Sequence, residues 1–259
     1  MDNDDAINIV VVIPVYNHGG ALDYVLDQLE PYNLPCLLVD DGSDEPCQRV
    51  IENATETRGW VESIRLSSNQ GKGAAVSAGL MKLELQGGVT HVMQIDADGQ
   101  HNLDDIPVFL KATEANPGAL ILGQAMYDDT VPKARLYGRY ITHAWVWVET
   151  LSLSVKDTMC GFRVYPLAVT NDVIRSSSLG QRMAFDTEIV VRLFWKDVEV
   201  VNVPTLVHYP YDGVSHFSAF TDNVQISYMH SRLFFRMLLG FPVWLVKRCF
   251  KGVVFASGK

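Results

Sequence analysis

Two aspartates, Asp96 and Asp98, give this sequence its clearest capacity for chemistry. They stand at the end of the run His91–Asp96, which predicts a buried strand, so both carboxylates can point to one side. Two carboxylates held this close are costly unless a cation neutralises them. We therefore expect Mg²⁺ or Mn²⁺ here, bound by few protein oxygens and by substrate phosphates. The alternative is a pair of ordinary turn residues that cap the next helix.

Two further predicted strands end in polar residues that could contact a nucleotide. The run Ile7–Val15 leads into Tyr16 and Asn17, and the run Cys36–Asp40 leads into Asp41. Ligands of parallel sheets bind beyond the carboxyl ends of the strands, so these side chains should share one crevice with the aspartate pair. Helix capping is again the alternative for the acidic residues.

The sequence Gly71-Lys72-Gly73 opens a predicted helix. Glycines let a backbone approach a phosphate closely, and a helix N-terminus favours an anion. The segment is not a GxGxxG motif, because position 76 is Val, and it is not a P-loop. On these residues alone, a plain turn and cap is the alternative.

The elements that must position these residues alternate along the first half of the chain. Short apolar runs separated by amphipathic segments predict a mostly parallel sheet covered by helices on both faces. The predicted strands are Ile7–Val15, Cys36–Asp40, Glu62–Leu66, His91–Asp96 and Ala119–Gly123. The predicted helices are Ala21–Leu29, Cys47–Thr57, Gly73–Leu85 and Leu103–Ala115.

The second half of the chain is less regular. We expect helices at Lys133–Leu153 and Phe185–Lys196, a loop at Met159–Pro166, a strand at Val198–Tyr209 and a helix over 219–250 broken at Gly240–Pro242. No internal repeat or linker divides the chain into independent domains.

The composition limits the classes of function. With 48% hydrophobic and 20% charged residues, the 259-residue chain is typical of a folded protein, and its net charge of −9 argues against a nucleic acid partner. The four cysteines are scattered and predict neither a disulfide framework nor a zinc site. The acidic start of the sequence is unlike a signal peptide, so we expect a cytoplasmic protein.

The C-terminal segment differs from the acidic body. From Val224 to Lys259 it contains six Lys or Arg and no acidic residue. Its apolar stretch Leu233–Val246 is shorter than the roughly 20 residues that span a bilayer. Apolar and aromatic residues flanked by basic ones favour a helix lying on an anionic membrane surface. The alternative is a helix packed on the rest of the protein, with its basic residues in water.

Four motifs, VVIPVYN, VDDGS, NQGKGAAVSAGL and QIDADGQH, occur in an order and spacing that resemble family 2 glycosyltransferases. The nearest branch is similar to the dolichyl- or polyprenyl-phosphate sugar transferases, and the resemblance covers roughly residues 7–210. It implies a GT-A fold, which we assign to residues 1–218, and from its composition we expect 219–259 to be an amphipathic, membrane-associated helical segment. It also implies inverting transfer of a sugar from a UDP- or GDP-linked donor to a lipid-linked acceptor at the inner face of the membrane.

The resemblance also assigns roles to residues. Asp96 and Asp98 become the Asp-x-Asp motif that holds Mg²⁺ or Mn²⁺ on the donor diphosphate, with Gln100 beside them. The expected nucleotide-sugar-binding residues are Pro14, Tyr16, Asn17, Asp40, Asp41, Gly71, Lys72, Asp96, Ala97, Asp98, Gln100, Arg135 and Arg139. The expected catalytic residues are Asp98, Asp186, Glu188 and Arg163.

The catalytic assignments depend on the acceptor. A phosphate acceptor is already a nucleophile, whereas a hydroxyl needs a carboxylate base, for which Asp186 and Glu188 are the candidates. The family's Arg-x-Gly-x-Ser stretch is replaced by residues 211–216, so Arg135, Arg139, Arg163 or His216 could contact the diphosphate instead. His18 stands where an acidic residue often follows the Tyr-Asn pair.

Two other functions remain open at this point. A sugar-nucleotide nucleotidyltransferase should have a Gly-rich, Arg-containing loop after the first strand, which residues 14–20 lack. A catalytically silent, membrane-associated binding module would not need both Asp96 and Asp98.

Overall fold

The computed structural model describes residues 6–127, 133–207 and 219–256, without the side chains of 127, 133–137, 219–221 and 241–256. The region from 211 to 216, including His216, and the side chain of Arg135 therefore lie outside the described residues.

A seven-stranded sheet forms the centre of the molecule, in the order β3-β2-β1-β4-β6-β5-β7. Strands β1 to β4 run parallel, β6 is antiparallel to both of its neighbours, and β5 is parallel to β7. The prediction of a mostly parallel sheet is confirmed. The strands are β1 Ile9–Val15, β2 Cys36–Asp40, β3 Val61–Arg65, β4 His91–Gln94, β5 Leu120–Tyr127, β6 Arg163–Pro166 and β7 Val200–Val207.

Helices cover both faces of the sheet. They are α1 Gly19–Leu29, α2 Glu45–Thr57, α3 Lys72–Gln86, α4 Ile106–Ala115, α5 Lys133–Thr150, α6 Leu167–Ser176, α7 Ala184–Trp195 and α8 Ala219–Ala256. Residues of β1 alternate between two cores, because successive side chains of a strand point to opposite faces. Val11 and Ile13 pack with α1, α2 and α4, whereas Val10 and Val12 pack with α3, α6 and α7.

Three features of the second half differ from the sequence prediction. Strand β6 occupies the end of the segment expected as a loop, and α6, which directly follows it, was not expected. A four-residue strand that begins with a buried arginine, Arg163, carries too little apolar pattern to be recognised. The predicted break at Gly240–Pro242 is also wrong, since α8 is one helix. A single proline removes one backbone hydrogen bond, and the neighbouring turns can still continue the helix.

The first part of α8 packs on the body of the protein. Met229 and Leu233 are buried in the core that α3 and α7 share. His230 bonds Glu149 of α5 at 2.8 Å, and Arg232 forms an ion pair with Glu188 of α7. Among the described residues, no helix is long and apolar enough to cross a membrane.

Candidate active site

The carboxyl ends of β1, β2 and β4 bring the predicted acidic residues to one edge of the sheet. The backbone N–H of Asp41 donates to the carbonyl of Val15 at 2.8 Å, which joins the ends of β1 and β2. The N–H of Ile95 donates to Val12 at 3.1 Å, which keeps β4 in register beside β1 up to the residue before Asp96. In parallel α/β sheets, ligands bind in the crevice beyond the carboxyl ends of the strands, and the predicted acidic residues lie at this edge.

Asp41 holds the loop that precedes α3. Its two carboxylate oxygens accept hydrogen bonds from the backbone N–H groups of Gln70 and Gly71, each at 2.7 Å. Bonds between an ionised carboxylate and N–H groups are among the stronger ones in proteins. Gly71 has φ 104°, and a side chain there would overlap Arg182. The buried Asp41 thus fixes the entry of the chain into α3, where Lys72 is the first residue.

Lys72 lies between two carboxylates. Its ammonium is 2.8 Å from Asp96 Oδ1, 3.0 Å from Asp96 Oδ2 and 2.9 Å from Asp186 Oδ2. Burial works against a charged lysine, but the carboxylates of Asp186 and Asp96 outweigh it and raise the pKa of Lys72 above its ordinary value. Burial likewise opposes the charge of Asp96, yet Lys72 and His101 hold the pKa of Asp96 well below its usual range. Lys72 therefore bridges the carboxylates of Asp96 and Asp186.

His101 and Gly161 complete the surroundings of Asp96. The Nε2 atom of His101 lies 3.5 Å from Asp96 Oδ2. Burial lowers the pKa of His101, but the nearby Asp96 carboxylate and Cys160 outweigh it and raise that pKa to about 10. On the other side, a Cβ at position 161 would overlap both oxygens of Asp96. Only a glycine leaves room for the carboxylate at that point.

Asp157 folds the loop that presents Gly161. One of its oxygens accepts hydrogen bonds from the N–H groups of Met159 at 2.8 Å and Cys160 at 3.2 Å. Arg139 donates to both oxygens, at 2.8 and 2.7 Å. Burial opposes the charge of Asp157, but His143 and Arg139 beside it hold its pKa below the ordinary value. Arg139, expected at the nucleotide sugar, therefore supports this loop.

Arg163, expected as a catalytic residue, is fully buried. It donates to the carbonyls of Cys160 at 3.0 Å and Asp186 at 2.9 Å, and its guanidinium lies 3.5 Å from the Asp186 carboxylate. These contacts tie the Gly161 loop to the start of α7. Arg163 therefore positions the two segments on either side of the bridge.

The two candidate bases on α7 differ in their surroundings. Asp186, in the first turn, contacts Lys72 at the sheet edge. Glu188 is fully buried and accepts hydrogen bonds from Arg192 at 2.7 Å, from the N–H of Gly180 at 3.0 Å and from Arg232. Of these partners, Arg232 belongs to α8. Asp186 thus lies beside Lys72 and Asp96, whereas Glu188 forms part of the contact between α7 and α8.

The predicted nucleotide contacts at the ends of β1 and β2 are connected to one another. The side-chain oxygen of Asn17 accepts from the N–H of Asp44 at 2.8 Å, and the Asn17 N–H donates to the hydroxyl of Ser43 at 3.1 Å. Asp40 accepts from the N–H of Ser43 at 2.8 Å and forms an ion pair with Arg65. Pro14 and Tyr16, at the end of β1, are half-buried.

The residues expected to hold a metal are oxygen donors. Asp98 is half-buried and accepts a hydrogen bond from the N–H of Gln100 at 3.1 Å, while Ala97 between the aspartates is buried. Carboxylate and amide oxygens suit Mg²⁺ or Mn²⁺. In the part of the chain that the structure describes, no three His, Cys, Asp or Glu side chains gather around one ion position, so further ligands would have to be substrate oxygens or water.

An open cavity of about 520 Å³ adjoins the loop that Asp41 holds. Ligand pockets in proteins have volumes of about 300–1,000 Å³. The lining is polar apart from one leucine and contains no carboxylate: Asn69, Gln70, Ser178, Leu179, Gln181, Arg182 and Gln225.

Sequence reasoning missed three features of this site. The bridge formed by Lys72, the contact of His101 with Asp96 and the role of Gly161 all depend on segments far apart in the chain. A signal for one of them was present, because His101 closes the QIDADGQH motif.

Comparison with known proteins identifies relatives. The chain is 25% identical over 214 residues to an uncharacterized protein of Methanocaldococcus jannaschii, which covers 80% of this chain and 91% of that protein. It is also 25% identical over 213 residues to a dolichyl-phosphate beta-glucosyltransferase of Trichomonas vaginalis, covering 74% of this chain and 61% of that enzyme. The chain thus spans less than two thirds of the length of this glucosyltransferase.

The fold is similar to that of a solved enzyme. The structure of glucosyl-3-phosphoglycerate synthase from Mycobacterium tuberculosis, with Mn²⁺, UDP-glucose and glycerol 3-phosphate, matches with a TM-score of 0.58 and 16% identity. The match covers 91% of this chain and 80% of that chain. At this identity it shows the fold alone, and it confirms the GT-A fold expected from the sequence.

The family itself follows from the match to a family model. The model of Glycosyl transferase family 2 matches residues 10–169, which is more than half of the chain. This region contains β1 to β4, the aspartate pair and the Gly161 loop. The protein is therefore a glycosyltransferase with a GT-A fold and belongs to glycosyl transferase family 2.

Proposed function

We propose that this protein is a metal-dependent, inverting glycosyltransferase that moves a sugar from a UDP- or GDP-linked donor to a lipid-linked phosphate at a membrane surface. The observation that carries the proposal is the cluster of Asp96, Lys72 and Asp186 at the carboxyl edge of the sheet, with Asp98 two residues from Asp96. The dolichyl-phosphate beta-glucosyltransferase named among its relatives supports a polyprenyl phosphate as the acceptor.

The donor half of the site follows from the sheet edge. Asp96, Asp98 and Gln100 would hold a divalent cation, which would supply Lewis-acid stabilisation of the charge on the diphosphate leaving group. The solved GT-A enzyme with Mn²⁺ and UDP-glucose supports this assignment. Tyr16 and Asp41, at the ends of β1 and β2, are the proposed contacts of the nucleoside.

The acceptor half follows from the start of α7. An acceptor that attacks the anomeric carbon from the face opposite the leaving group inverts its configuration. A lipid phosphate is an anionic nucleophile and needs no base, whereas a hydroxyl acceptor would have to transfer a proton. Asp186 is the proposed base in that second case, because it lies in the cluster at the sheet edge, whereas Glu188 lies in the contact between α7 and α8.

Exposed apolar side chains on α5 and α8 support membrane association. Trp145 of α5 meets Phe234 of α8 edge to face, with ring centroids 5.9 Å apart, which joins the two helices. In the sequence of α8, the basic residues Lys247, Arg248 and Lys251 follow the apolar stretch Leu233–Val246. Such a surface suits peripheral binding to an anionic, cytoplasmic membrane face. The exposed apolar residues include Tyr140, Ile141, Trp147 and Val148 of α5 and Tyr228, Phe235, Leu238 and Leu239 of α8.

A transfer assay tests the proposal. Labelled UDP-glucose and GDP-mannose are incubated with the protein, Mn²⁺ and anionic vesicles that contain either a polyprenyl phosphate or the matching polyprenol. We expect label to enter the lipid phase with one donor and only with the phosphorylated lipid. Label transferred to the polyprenol would contradict a phosphate acceptor. Donor binding without turnover of any donor would favour the silent binding module, and release of pyrophosphate from a nucleoside triphosphate and a sugar phosphate would favour a nucleotidyltransferase.

A further inference from the structure

Lys72 makes the contacts that a bound cation would make. Its ammonium approaches both oxygens of Asp96, at 2.8 and 3.0 Å, and one oxygen of Asp186 at 2.9 Å. The three side chains come from the start of α3, the end of β4 and the start of α7. The ammonium thus neutralises the carboxylate that is expected to carry the metal.

Burial makes a counter-ion at this point necessary. The side chains of Lys72, Asp96 and Asp186 are only 19%, 22% and 8% exposed. Two carboxylates so far removed from water are strongly destabilising without a positive partner. In the absence of a divalent ion, Lys72 is the partner that meets both of them.

A divalent ion at Asp96 would repel an ammonium that stayed in contact with the same oxygens, since like charges at a few ångström in a partly buried site strongly disfavour each other. The start of α3 is closely packed, because a side chain at Gly73 would overlap Phe185 of α7. The backbone of Lys72 is therefore held in place, whereas its four-carbon side chain has rotatable bonds that allow the ammonium to move.

We propose that Lys72 is the resident counter-ion of Asp96 and Asp186, and that a divalent cation competes with its ammonium for Asp96. This inference rests on the proposed function, in which Asp96 is a metal ligand. Lys72 is then a positioning residue that keeps the carboxylates in place before the metal arrives.

Metal affinity without nucleotide tests the competition. Mn²⁺ binding by calorimetry is compared among the full-length wild-type protein, Lys72→Met, Lys72→Arg and Lys82→Met, which removes a lysine from the same helix away from the cluster. We expect Lys72→Met to bind Mn²⁺ at least about tenfold more tightly than the wild type, because a competing charge is removed. Lys72→Arg and Lys82→Met should stay close to the wild type. Equal or weaker binding by Lys72→Met would overturn the competition.

A second measurement uses the wild-type protein and does not depend on the folding of a variant. With ¹⁵N-labelled lysine, an ammonium held in ion pairs exchanges its protons slowly and gives an observable signal. We expect the Lys72 signal in metal-free protein and its loss when Mg²⁺ is added. A signal that persists in the Mg²⁺-bound protein would overturn the inference while the proposed function stands. If the wild type bound no divalent ion and transferred sugar in EDTA, both this inference and the proposed metal-dependent function would be overturned.

Discussion

Gly161 touches the carboxylate of Asp96, at a place where any Cβ would overlap both oxygens. The residue that presents this glycine, Asp157, is itself held by Arg139 and by the N–H groups of its own loop. The Gly161 loop is therefore held by several buried bonds. It cannot move away from Asp96 without disturbing them, because β6, which follows the loop, pairs with β4.

We accordingly expect Gly161→Ala to lower transfer by about 100-fold or more, because a displacement of about 1 Å in a catalytic group has an effect of that size. Gly138→Ala on α5 is the matched control, since nothing lies within 4 Å of a Cβ there. Initial rates and circular dichroism spectra of both variants check this. Full activity of Gly161→Ala would show that the position of Asp96 is not critical.

Asp98→Ala should abolish transfer, because Asp98 is a proposed ligand of the metal. The fold should stay intact, because Asp98 is half-buried and its side chain accepts a hydrogen bond from the N–H of the nearby Gln100. Removal of divalent ions with EDTA should abolish transfer by the wild type. Added Mn²⁺ should then restore transfer in the wild type but not in Asp98→Ala. Asp104→Ala, which removes an exposed acidic residue nearby, is the control. Sugar transfer that continues in EDTA would rule out the metal-dependent mechanism.

Asp41→Ala should weaken binding of the nucleoside diphosphate by about 1–3 kcal/mol, the cost of losing the partner of buried polar groups. The structure adds a second reason, since the loop of Gln70 and Gly71 loses both carboxylate contacts. Calorimetry with UDP and GDP measures the change, and Asp27→Ala on the exposed side of α1 is the control. Unchanged affinity would mean that neither Asp41 nor its loop contacts the nucleotide.

His91 gives a testable dependence of stability on pH. It is buried in β4, and its Nε2–H donates to the carbonyl of Pro117 at 2.7 Å. Burial lowers the pKa of His91 below its ordinary value of 6.5 despite that bond. The unfolded chain therefore binds the proton first as pH falls.

The contribution of His91 to stability is present above its unfolded pKa and is lost as pH falls towards the lower folded pKa, with a slope of at most about 1.4 kcal/mol per pH unit. Urea unfolding between pH 8 and pH 5 should show this loss in the wild type and a flatter profile in His91→Gln. Identical slopes for the two proteins would assign the pH dependence to other groups.

Leu239 tests the proposed membrane surface. Its side chain on α8 is 83% exposed, and Leu85 on α3 is 85% exposed on a different part of the molecule. Leu239→Asp should weaken binding to anionic vesicles about tenfold, because burial of a leucine contributes about 1.5–3 kcal/mol. Leu85→Asp should leave vesicle binding unchanged. Co-sedimentation at several salt concentrations measures both, and equal binding by the two variants would exclude α8 as the attachment surface.

The sequence predicts the ends of the strands well, but it predicts the contacts between distant parts of the chain poorly. Apolar runs closed by Asp40 and Asp96 locate the site, because a buried strand and the polar residue after it are local features. The environment of a side chain is not local. Glu188 and Asp186 are two residues apart on α7, yet Arg232, 44 residues further on, engages one of them and Lys72 engages the other.

The ion pair of Glu188 with Arg232 has a mechanical consequence. Asp186 is half a turn away from Glu188 on α7, so this ion pair connects the helix that carries Asp186 to the first part of α8. The contact between Glu149 and His230 connects α8 to α5 in turn. For a protein lying on a bilayer through α5 and α8, the height of the sugar-transfer centre above the lipid headgroups would be set by these helices and would change only when they tilt together.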